Sequence, residues 1–488
     1  MSGELFSEEA ISRELELIEK STKECLWKSP LGEIFELQLP HTVYPPREDT
    51  SLLAKALTKL GPGRGRKCLE IGTGSGVLSL LCNRQGWNAS CCDINPLAVA
   101  SAKSFFAANN ATEINISEGG PGPAIDGDVS QWTNGEKYDL IFWNLPYLNP
   151  SKNDKSFLGP MEDAALIDTG TTDLFHIATK TIAKNEILNK GGLVLFLLSG
   201  DKDDNYLETI SSHNGFALRT VNEMIFDDGE MIRVVAMWRP YESAMKKHVE
   251  STNSTNTEML RSNLVIGSSL STDFQIDGHG RRGRKWENAG ESFACSWKIG
   301  DQTNSSPILL QLTCGFVVLK SLQSLPGLDK EKTLILKWPN DILVANDDNF
   351  CKVSGILLES SSIDGNNTVV LGVGINLRPG EFTKRDFEMG YLETIAAADK
   401  SVLKEIIECR IAGIFEQKEG IPLSPIENYR DRVFEEVKRG FETPSRLFYR
   451  KGDVSFEKLK DEGLLIVTDS EGYEYVCDDG ESIIWEFN

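Results

Sequence analysis

The feature that most constrains the fold is a glycine-rich turn at the end of a short apolar run. KCLEI, starting at Lys67, is typical of a buried strand and continues directly into GTGSG, Gly72 to Gly76. These glycines let the backbone pass close to a ligand before a helix begins near Val77. A second apolar run, ASCCDI, carries Asp93 at its end, where a carboxylate can accept both hydroxyls of a ribose. The pattern favours a nucleoside site over a bare tight turn.

A third apolar run begins at Asp139 and leads into NLPY. A site that methylates a planar nitrogen must accept its N–H hydrogens and aim its lone pair at the methyl carbon. The side-chain carbonyl of Asn144 and the backbone carbonyl of Leu145 or Pro146 are candidate acceptors. The ring of Tyr147 can stack on the planar group. A plain turn that ends a strand is the alternative.

These motifs resemble those of class I S-adenosylmethionine methyltransferases, whose glycine loop has the form E-x-G-x-G-x-G. DINPLAVA, from Asp93, and VYPPREDT, from Val43, narrow the likeness to the glutamine methyltransferases that modify peptide release factors. The resemblance implies a doubly wound, Rossmann-like sheet, with Asn144 and Tyr147 as catalytic residues. The family's usual motif is NPPY, and Leu145 in place of proline is expected to loosen the orientation of the carbonyl.

The resemblance also implies a cofactor site. Asp93 would hold the ribose, Glu70 and Gly72 would line the methionine portion, and Asp128 would lie by the adenine. The early turn at Asp49 would close over the cofactor. The full set implied for S-adenosylmethionine is Thr50, Glu70, Gly72, Gly74, Asp93, Asp128 and Asn144.

A second constraint comes from GHGRRGRKW, residues 278–286. Its three glycines oppose a helix and make a flexible, cationic loop. Arg281, Arg282 and Arg284 can offer forked donors to a phosphate or a carboxylate. Alone, the loop supports a phosphate site and a basic surface loop equally.

Three downstream motifs, KWPND from Lys337, KVSGILLE from Lys352 and GVGIN from Gly372, follow this loop. Together and in this order they resemble the catalytic domain of biotin protein ligases. Lipoate ligases share that fold without this loop. The resemblance implies an α+β biotin/lipoate ligase-type domain and a small C-terminal antiparallel β-barrel with Gly480-Glu481 near its last strand. Alternating strands and turns after Gly440 favour the same barrel, with a stability module as the alternative.

Individual ligase residues follow from the resemblance. Lys352 and Arg281 would be catalytic. The tripeptide STN occurs twice, and the second copy, from Ser254, is favoured because an apolar helix follows it. His279 stands where the family has arginine, so a weaker or pH-dependent hold on the ligand is expected. Trp297 is a candidate wall of the biotin pocket. The substrate-binding set is Ser254, Thr255, Asn256, Gln275, Gly278, His279, Gly280, Arg281, Arg284, Trp286, Lys337, Asn340, Asp341, Lys352, Gly355, Asn376 and, for the methyl acceptor, Pro146.

The implied ligase chemistry uses ATP because a carboxylate does not acylate an amine at neutral pH. The biotin carboxylate would attack the α-phosphate, giving biotinyl-5'-AMP and pyrophosphate, and a lysine of a carboxylase carrier domain would displace AMP. Lys352 would stabilise the charge that develops on phosphorus. Asp341 is a candidate contact to Mg-ATP or adenosine, and Asn376 either faces the adenylate or holds its turn.

Composition sets further bounds. The chain has 488 residues and a net charge of −22, which favours two to four domains and disfavours a nucleic-acid partner. Ten cysteines without a CxxC pair indicate a reduced, cytoplasmic protein. No metal-ligand spacing stands out. The acidic N-terminus does not resemble a signal peptide, and no apolar run is long enough for a membrane span.

The sequence therefore predicts a bifunctional enzyme, with a release factor and a carboxylase carrier domain as protein substrates. The alternative is a ligase whose methyltransferase-like half binds S-adenosylmethionine or a partner without turnover. The predicted divisions are an N-terminal helix within 1–29, periodic over 5–22, a methyltransferase domain 30–241, a linker 242–253, a ligase domain 254–434 and the barrel 435–488.

Overall fold

The computed structural model describes residues 20, 22–122, 128–146, 173–286, 290–300, 305–329, 333–346, 349–363, 366–380, 389–397, 399–450 and 452–487. The predicted helix over 5–22 lies almost entirely outside these residues. The chain forms two compact units. The N-terminal unit comprises 1–239 with 417–422, and the C-terminal unit comprises 240–416 with 423–488.

The N-terminal unit contains nine described strands and six described helices. The strands are β1 Lys23–Lys28, β2 Ile34–Leu39, β3 Lys67–Ile71, β4 Asn88–Asp93, β5 Asn115–Glu118, β6 Tyr138–Asn144, β7 Leu188–Ser199, β8 Ala217–Ile225 and β9 Met231–Trp238. The helices are α1 Glu48–Lys59, α2 Val77–Arg84, α3 Pro96–Ala108, α4 Ser130–Thr133, α5 Leu174–Lys184 and α6 Asp204–His213.

Seven of these strands form one sheet in the order β5-β4-β3-β6-β7-β9-β8. The first five run parallel, and β9 pairs antiparallel with both β7 and β8. Leu69, Phe142 and Phe196 are fully buried, which explains why these strands read as continuous apolar runs. The apolar runs GGLVLFLLSG and MIRVVAMWRP, which contain most of β7 and β9, predict the antiparallel edge of the sheet. This prediction is wrong, because the half-exposed and more polar β8 lies outside β9.

Two details at the start of this unit also differ from expectation. Residues 23–28, inside the predicted helical segment, form β1, because Trp27 alternates inward and stacks on Phe35 of β2 with ring centroids 5.8 Å apart. The run SLLAKALTKL predicts a helix that Thr50 or Ser51 caps, but α1 begins at Glu48 and Thr50 is its third residue.

The C-terminal unit contains a larger and a smaller sheet. The larger sheet consists of β10 Lys246–Thr252, β11 Ser269–Gln275, β12 Gly290–Lys298, β13 Leu334–Lys337, β14 Asp341–Asn346, β15 Asn349–Ile363 and β16 Asn366–Pro379. The smaller sheet consists of β17 Arg446–Tyr449, β18 Gly452–Leu459, β19 Leu465–Asp469, β20 Glu474–Cys477 and β21 Ile483–Glu486. The described helices are α7 Thr255–Arg261, α8 Pro307–Gln323, α9 Lys400–Phe415 and α10 Arg430–Phe441.

The larger sheet has the order β10-β11-β12-β16-β15-β14-β13. Strand β10 fills most of the predicted linker 242–253, so that prediction is wrong there. Its side chains are mostly exposed on an edge strand and gave no apolar pattern. The helical periodicity of residues 307–324 predicts a core helix, which α8 confirms. The acidic stretch VANDDNFC, from Val344, predicts an extended hairpin, which the pairing of β14 with β15 confirms.

The smaller sheet, called the cap below, is antiparallel with the order β20-β19-β18-β17-β21. Phe441, at the end of α10, packs on Phe456 and Trp485 with ring centroids 5.0 and 4.8 Å away. Helix α10 crosses the predicted division between 434 and 435, because its last turn belongs to this aromatic core.

All ten cysteines are free thiols, and nine of them are buried. Among the described helices, none combines the length and the apolar character needed to cross a membrane.

Candidate functional site

In the N-terminal unit the glycine turn lies between β3 and α2. Gly72, Gly74 and Gly76 have φ angles of 62°, 51° and 80°, a region that suits glycine. A Cβ at Gly72 would lie 2.6 Å from Nε1 of Trp143, so a larger residue does not fit there. The turn thus brings bare backbone against the end of β6.

Glu70 braces this turn. Its Oε2 accepts hydrogen bonds from the Thr73 hydroxyl at 2.8 Å, the Ser79 amide at 3.0 Å and the Ser79 hydroxyl at 2.5 Å. The side chain is buried, and this burial raises the pKa of Glu70 to about 8 although the hydrogen bonds oppose the shift. The structure therefore gives Glu70 a bracing role between β3 and α2, and its contact to the methionine portion stays a prediction.

Asp93 ends β4 and faces the same turn. Its Oδ2 accepts from the Gly74 amide and its Oδ1 from the Asn95 amide, both at 2.8 Å. Burial raises the pKa of this carboxyl. Each oxygen keeps acceptor capacity beyond these bonds, so the carboxylate can also accept ribose hydroxyls. The carboxyl ends of β3, β4 and β6 meet here, where the strand order reverses, which is where α/β sheets bind ligands.

Asn144 ends β6 at the same edge. Its Nδ2 donates to Oδ2 of Asp49 at 2.9 Å. Its Oδ1 is buried and has no hydrogen-bond partner among the described residues. The next residue, Leu145, donates its backbone N–H to the Leu197 carbonyl at 3.1 Å, a bond that proline cannot make. This bond ties the turn to β7 and opposes the expected loosening.

The remaining predicted residues of this site have varied positions. Thr50 is buried in the first turn of α1, where its hydroxyl accepts from the Arg47 amide at 3.3 Å. Asp128 is exposed before α4, and its hydrogen bond from Ser130 lowers the pKa of its carboxyl. Within the described part of the chain, no hydrogen bond joins Asp128 to the glycine turn. Tyr147 lies outside the described residues.

In the C-terminal unit the second STN copy forms a polar network at the start of α7. The amide and hydroxyl of Thr255 both donate to Oε1 of Gln275, at 2.9 and 3.1 Å. The Ser296 hydroxyl lies 2.7 Å from the Thr255 hydroxyl and 2.5 Å from Oδ1 of Asn256. Ser254 accepts from the Thr257 amide as the helix cap. The second copy is therefore buried beside Gln275, whereas Ser251 and Asn253 of the first are exposed.

Glu359 joins this network to the cationic loop. Its Oε2 accepts from Nδ2 of Asn256 at 2.8 Å, and its Oε1 lies 3.3 Å from Nε2 of His279. The imidazole that replaces the family's arginine thus faces a carboxylate that also holds Asn256.

Glycines of β15 and β16 form the floor of this site. A Cβ at Gly372 would lie 2.2 Å from Oδ1 of Asn256. At Gly355 and Gly374 it would lie 2.9 and 2.7 Å from the ring of Trp286. The GVGIN motif thus provides bare backbone for two side chains that come from other elements.

A charged cluster lies beside Trp286. Nζ of Lys352 is 2.8 Å from Oδ1 of Asp341 and 5.7 Å from the Trp286 ring centroid. Burial lowers the pKa of Lys337, with Asp341 and Lys352 nearby. The buried Asn376 donates to the backbone carbonyl of Lys352 at 3.1 Å, so it holds the strand that carries this lysine. The backbone carbonyl of Asn340 likewise accepts from the amide of residue 356 at 2.9 Å.

The cap contacts the cationic loop through ion pairs. Arg282 lies 2.7 Å from Asp479, and Arg284 pairs with Glu481. Gly480, between these two carboxylates, packs against the KWPND turn, where a Cβ would lie 2.4 Å from Pro339. Arg281 is half-buried, which lowers its pKa against the opposing effect of Asp479. Gly278 carries the loop next to Gln275, and the Gly280 amide donates to the Arg284 carbonyl at 2.6 Å.

The prediction that Trp297 lines the pocket is wrong. Trp297 is fully buried and its indole nitrogen donates to Glu408 of α9 at 3.4 Å. Side chains alternate along β12, so its neighbour Ser296 faces the STN network instead. Strand β12 carries Ser292 and Ser296, and its alternation could have identified Ser296 as a residue of the site. Glu359, the last residue of KVSGILLE, had no signal beyond its place at the end of a motif.

Two family models match this chain. A model of the methyltransferase small domain matches residues 48–190, and a model of the biotin/lipoate A/B protein ligase family matches residues 246–376. Over 177 residues the chain is 33% identical to a putative protein N5-glutamine methyltransferase of Methanocaldococcus jannaschii, covering 35% of this chain and 81% of that protein.

Relatives of the C-terminal half are ligases. The chain is 26% identical over 229 residues to the bifunctional ligase/repressor BirA of Salmonella typhimurium, covering 42% of this chain and 68% of that protein. It is 38% identical over 133 residues to the biotin--[acetyl-CoA-carboxylase] ligase of Paracoccus denitrificans, covering 26% of this chain and 52% of that protein.

Proposed function

Because the chain belongs to the protein glutamine methyltransferase family in its N-terminal half and is fused there to a biotin protein ligase, we propose that it biotinylates one protein and methylates another. Methyltransferases of this kind use S-adenosylmethionine, and biotin ligases use ATP and biotin. The protein substrates proposed here are a biotin carboxyl-carrier domain and, for the methyl group, a glutamine amide of a peptide release factor.

One observation carries the ligase assignment. The second STN copy, the cationic loop, the KWPND turn and Lys352 come from distant parts of the chain, yet they meet on one sheet of the C-terminal unit. Polar groups suited to a ureido ring lie at one end, and Lys352, Arg281 and Lys337 supply positive charge at the other. Such a site matches a ligand that is polar at its ring and anionic at its tail.

Within this proposal Lys352 acts on the bond-forming atoms. Attack by the biotin carboxylate on the α-phosphate forms the acyl–phosphate bond and releases pyrophosphate, and attack by a neutral lysine amine then releases AMP and a proton. The ammonium of Lys352, now paired with Asp341, would exchange that carboxylate for the phosphate oxygens. Asp341 would then be free to contact Mg-ATP.

Replacement of Lys352 tests the ligase proposal. We expect Lys352→Ala to lower ATP-dependent biotin transfer to a carrier domain at least a hundredfold, since a preorganised charge is typically worth about 3 kcal/mol. Lys458→Ala is the matched control, because Lys458 is also a strand lysine near a carboxylate, 3.8 Å from Glu474. Absence of transfer by folded wild-type protein would contradict the proposal.

The methyltransferase assignment is carried by the buried Oδ1 of Asn144, which has no hydrogen-bond partner among the described residues and lies at the edge that holds Asp93. This oxygen can accept a hydrogen bond from the N–H of a planar amide. A hydroxyl group as the methyl acceptor would match it less specifically. Transfer of labelled methyl to a release-factor peptide that contains glutamine, compared with the same peptide carrying alanine there, tests it. Equal labelling of both peptides would contradict glutamine as the acceptor.

A further inference from the structure

The side-chain amide of Asn144 is held in one of its two possible orientations by a carboxylate from a distant helix. A carboxylate only accepts hydrogen bonds, so Asp49 selects the NH2 end of the amide, at 2.9 Å. The amide oxygen then faces away from Asp49 and lies buried without a partner among the described residues.

Asp49 is itself fixed. It is 2% exposed and lies in the first turn of α1. Its Oδ1 accepts from the Thr50 amide at 2.6 Å and from the Thr50 hydroxyl at 3.2 Å. The bond from Leu145 to the Leu197 carbonyl fixes the backbone that follows Asn144. A flip of the Asn144 amide would break its hydrogen bond to Asp49, so Asp49 opposes that flip.

We propose that Asp49 is a positioning residue of the methyltransferase, which orients Asn144 so that its Oδ1 accepts an N–H of the planar nitrogen group to be methylated. This inference rests on the proposed methylation of a glutamine amide and assigns Asp49 a role other than closing over the cofactor. Without the carboxylate, the amide can rotate and present its NH2 group to the acceptor, where two donors face each other.

The chain offers a matched control at the other end of β6. Oδ1 of Asp139 accepts from Nδ2 of Asn189, also at 2.9 Å. Asp139→Asn therefore makes the same chemical change in a second Asp–Asn pair. That pair also has one member on β6 but lies away from the site. We expect Asp49→Asn to reduce kcat/KM for a glutamine peptide at least tenfold, and Asp139→Asn to change it less than twofold.

A double-mutant cycle separates positioning from general damage. Binding of the glutamine peptide is measured in the presence of S-adenosylhomocysteine, so that inactive variants also give a value. We expect Asp49→Asn to weaken peptide binding at least tenfold in the wild type and less than twofold in an Asn144→Ala background. Equal losses in both backgrounds, or an equal loss in Asp139→Asn, would overturn the inference.

Two further readouts complete the test on the full chain. If Asp49→Asn alone does not fold, the double exchange Asp49→Asn with Asn144→Asp takes its place. It keeps the pair bonded and an acceptor oxygen facing the site, so it should recover part of the peptide binding. In selectively labelled protein, the Asn144 side-chain amide should be protected from hydrogen exchange, and Asp49→Asn should remove that protection. If the wild type neither binds nor methylates the glutamine peptide, the proposed acceptor fails. Absence of amide protection in the wild type overturns the positioning role itself.

Discussion

The two candidate sites hold their ionisable groups in opposite ways. In the N-terminal unit, Asp49, Glu70 and Asp93 are 2%, 4% and 8% exposed, and all accept hydrogen bonds from groups of their own unit. In the C-terminal unit the side chains of Lys352, Arg284 and Arg282 are 35%, 48% and 60% exposed and pair with other side chains. The fold preorganises the first site. In the second site the cationic side chains are paired with carboxylates, which an anionic ligand must displace.

This difference follows from the ligands that each site suits. Ribose hydroxyls and amide N–H groups are neutral, so fixed acceptors suffice and nothing charged has to move. A polyphosphate carries enough charge to compete with carboxylates for arginine and lysine. We therefore expect substitutions in the first site to change its geometry and the stability of the unit. Substitutions in the second site should change ligand binding by an amount that depends on ionic strength.

The first prediction tests whether the second site also has a fixed part. Gly372→Ala places a Cβ on Asn256, 2.2 Å from Oδ1. Because this contact displaces the side chain that holds the STN network together, we expect biotin to bind at least tenfold more weakly, about 1.4 kcal/mol. Isothermal titration with biotin measures this. Gly452→Ala is the control, since its Cβ would meet only the Tyr449 carbonyl, at 3.7 Å. Equal biotin affinity in both variants would mean that the glycine floor does not position Asn256.

The next prediction tests whether the first site is built into stability. Burial raises the pKa of Glu70 from its ordinary value to about 8, so the folded protein holds this proton more tightly than the unfolded chain. Ionisation of Glu70 therefore lowers the free energy of unfolding. This loss is absent in acid, grows as the pH rises above the pKa that Glu70 has in the unfolded chain, and is complete above about pH 8. Relative to Glu70→Gln, we expect the wild type to lose on the order of 2 kcal/mol, roughly 5 °C in Tm, between pH 6 and pH 9.

Differential scanning calorimetry at both pH values measures this loss in the transition of the N-terminal unit. The comparison with Glu70→Gln cancels most of the titration of Asp93. Parallel Tm shifts of the two proteins would show that Glu70 stays ionised in the folded state.

The smallest expected effect concerns the ion pairs between the loop and the cap. The double change Asp479→Asn and Glu481→Gln frees Arg282 and Arg284 for phosphate, so we expect KM for ATP to fall about two- to fivefold at low ionic strength. The difference should vanish near ~0.5 M salt, because exposed pairs are then screened. Asp453→Asn, which breaks the 2.7 Å pair with Arg446 inside the cap, should leave KM unchanged. A fall in KM that persists at high salt would indicate a rigid contact instead of an exchangeable one.

Short-range features of the fold were predictable. The strand at Lys67, the turn after it and the helix at Val77 follow from apolar runs and glycines whose causes lie within a few residues. The polar edge strands β8 and β10 were not predicted, because a strand with one exposed side lacks an apolar run and its identity depends on its neighbours.

The site residues divide in the same way. Asn144, Asp93, Gln275 and Lys352 lie within motifs, so the sequence identified them. Their pairings were not predicted, since Asp49 is 95 residues from Asn144 and Glu359 is 103 residues from Asn256. Trp297 was misplaced because the sequence shows that β12 alternates but not which of its two faces meets α7.

The sequence by itself determined which chemistries this chain carries, because a glycine turn, a strand-ending amide and a cationic loop are local patterns with local physical causes. Only the tertiary structure decided how those groups are held. The order of strands in a sheet and the face that each strand buries are set by packing over the whole unit. For this reason the contacts by which carboxyl groups hold Asn144, brace the glycine turn and pair with the arginines became visible only in three dimensions.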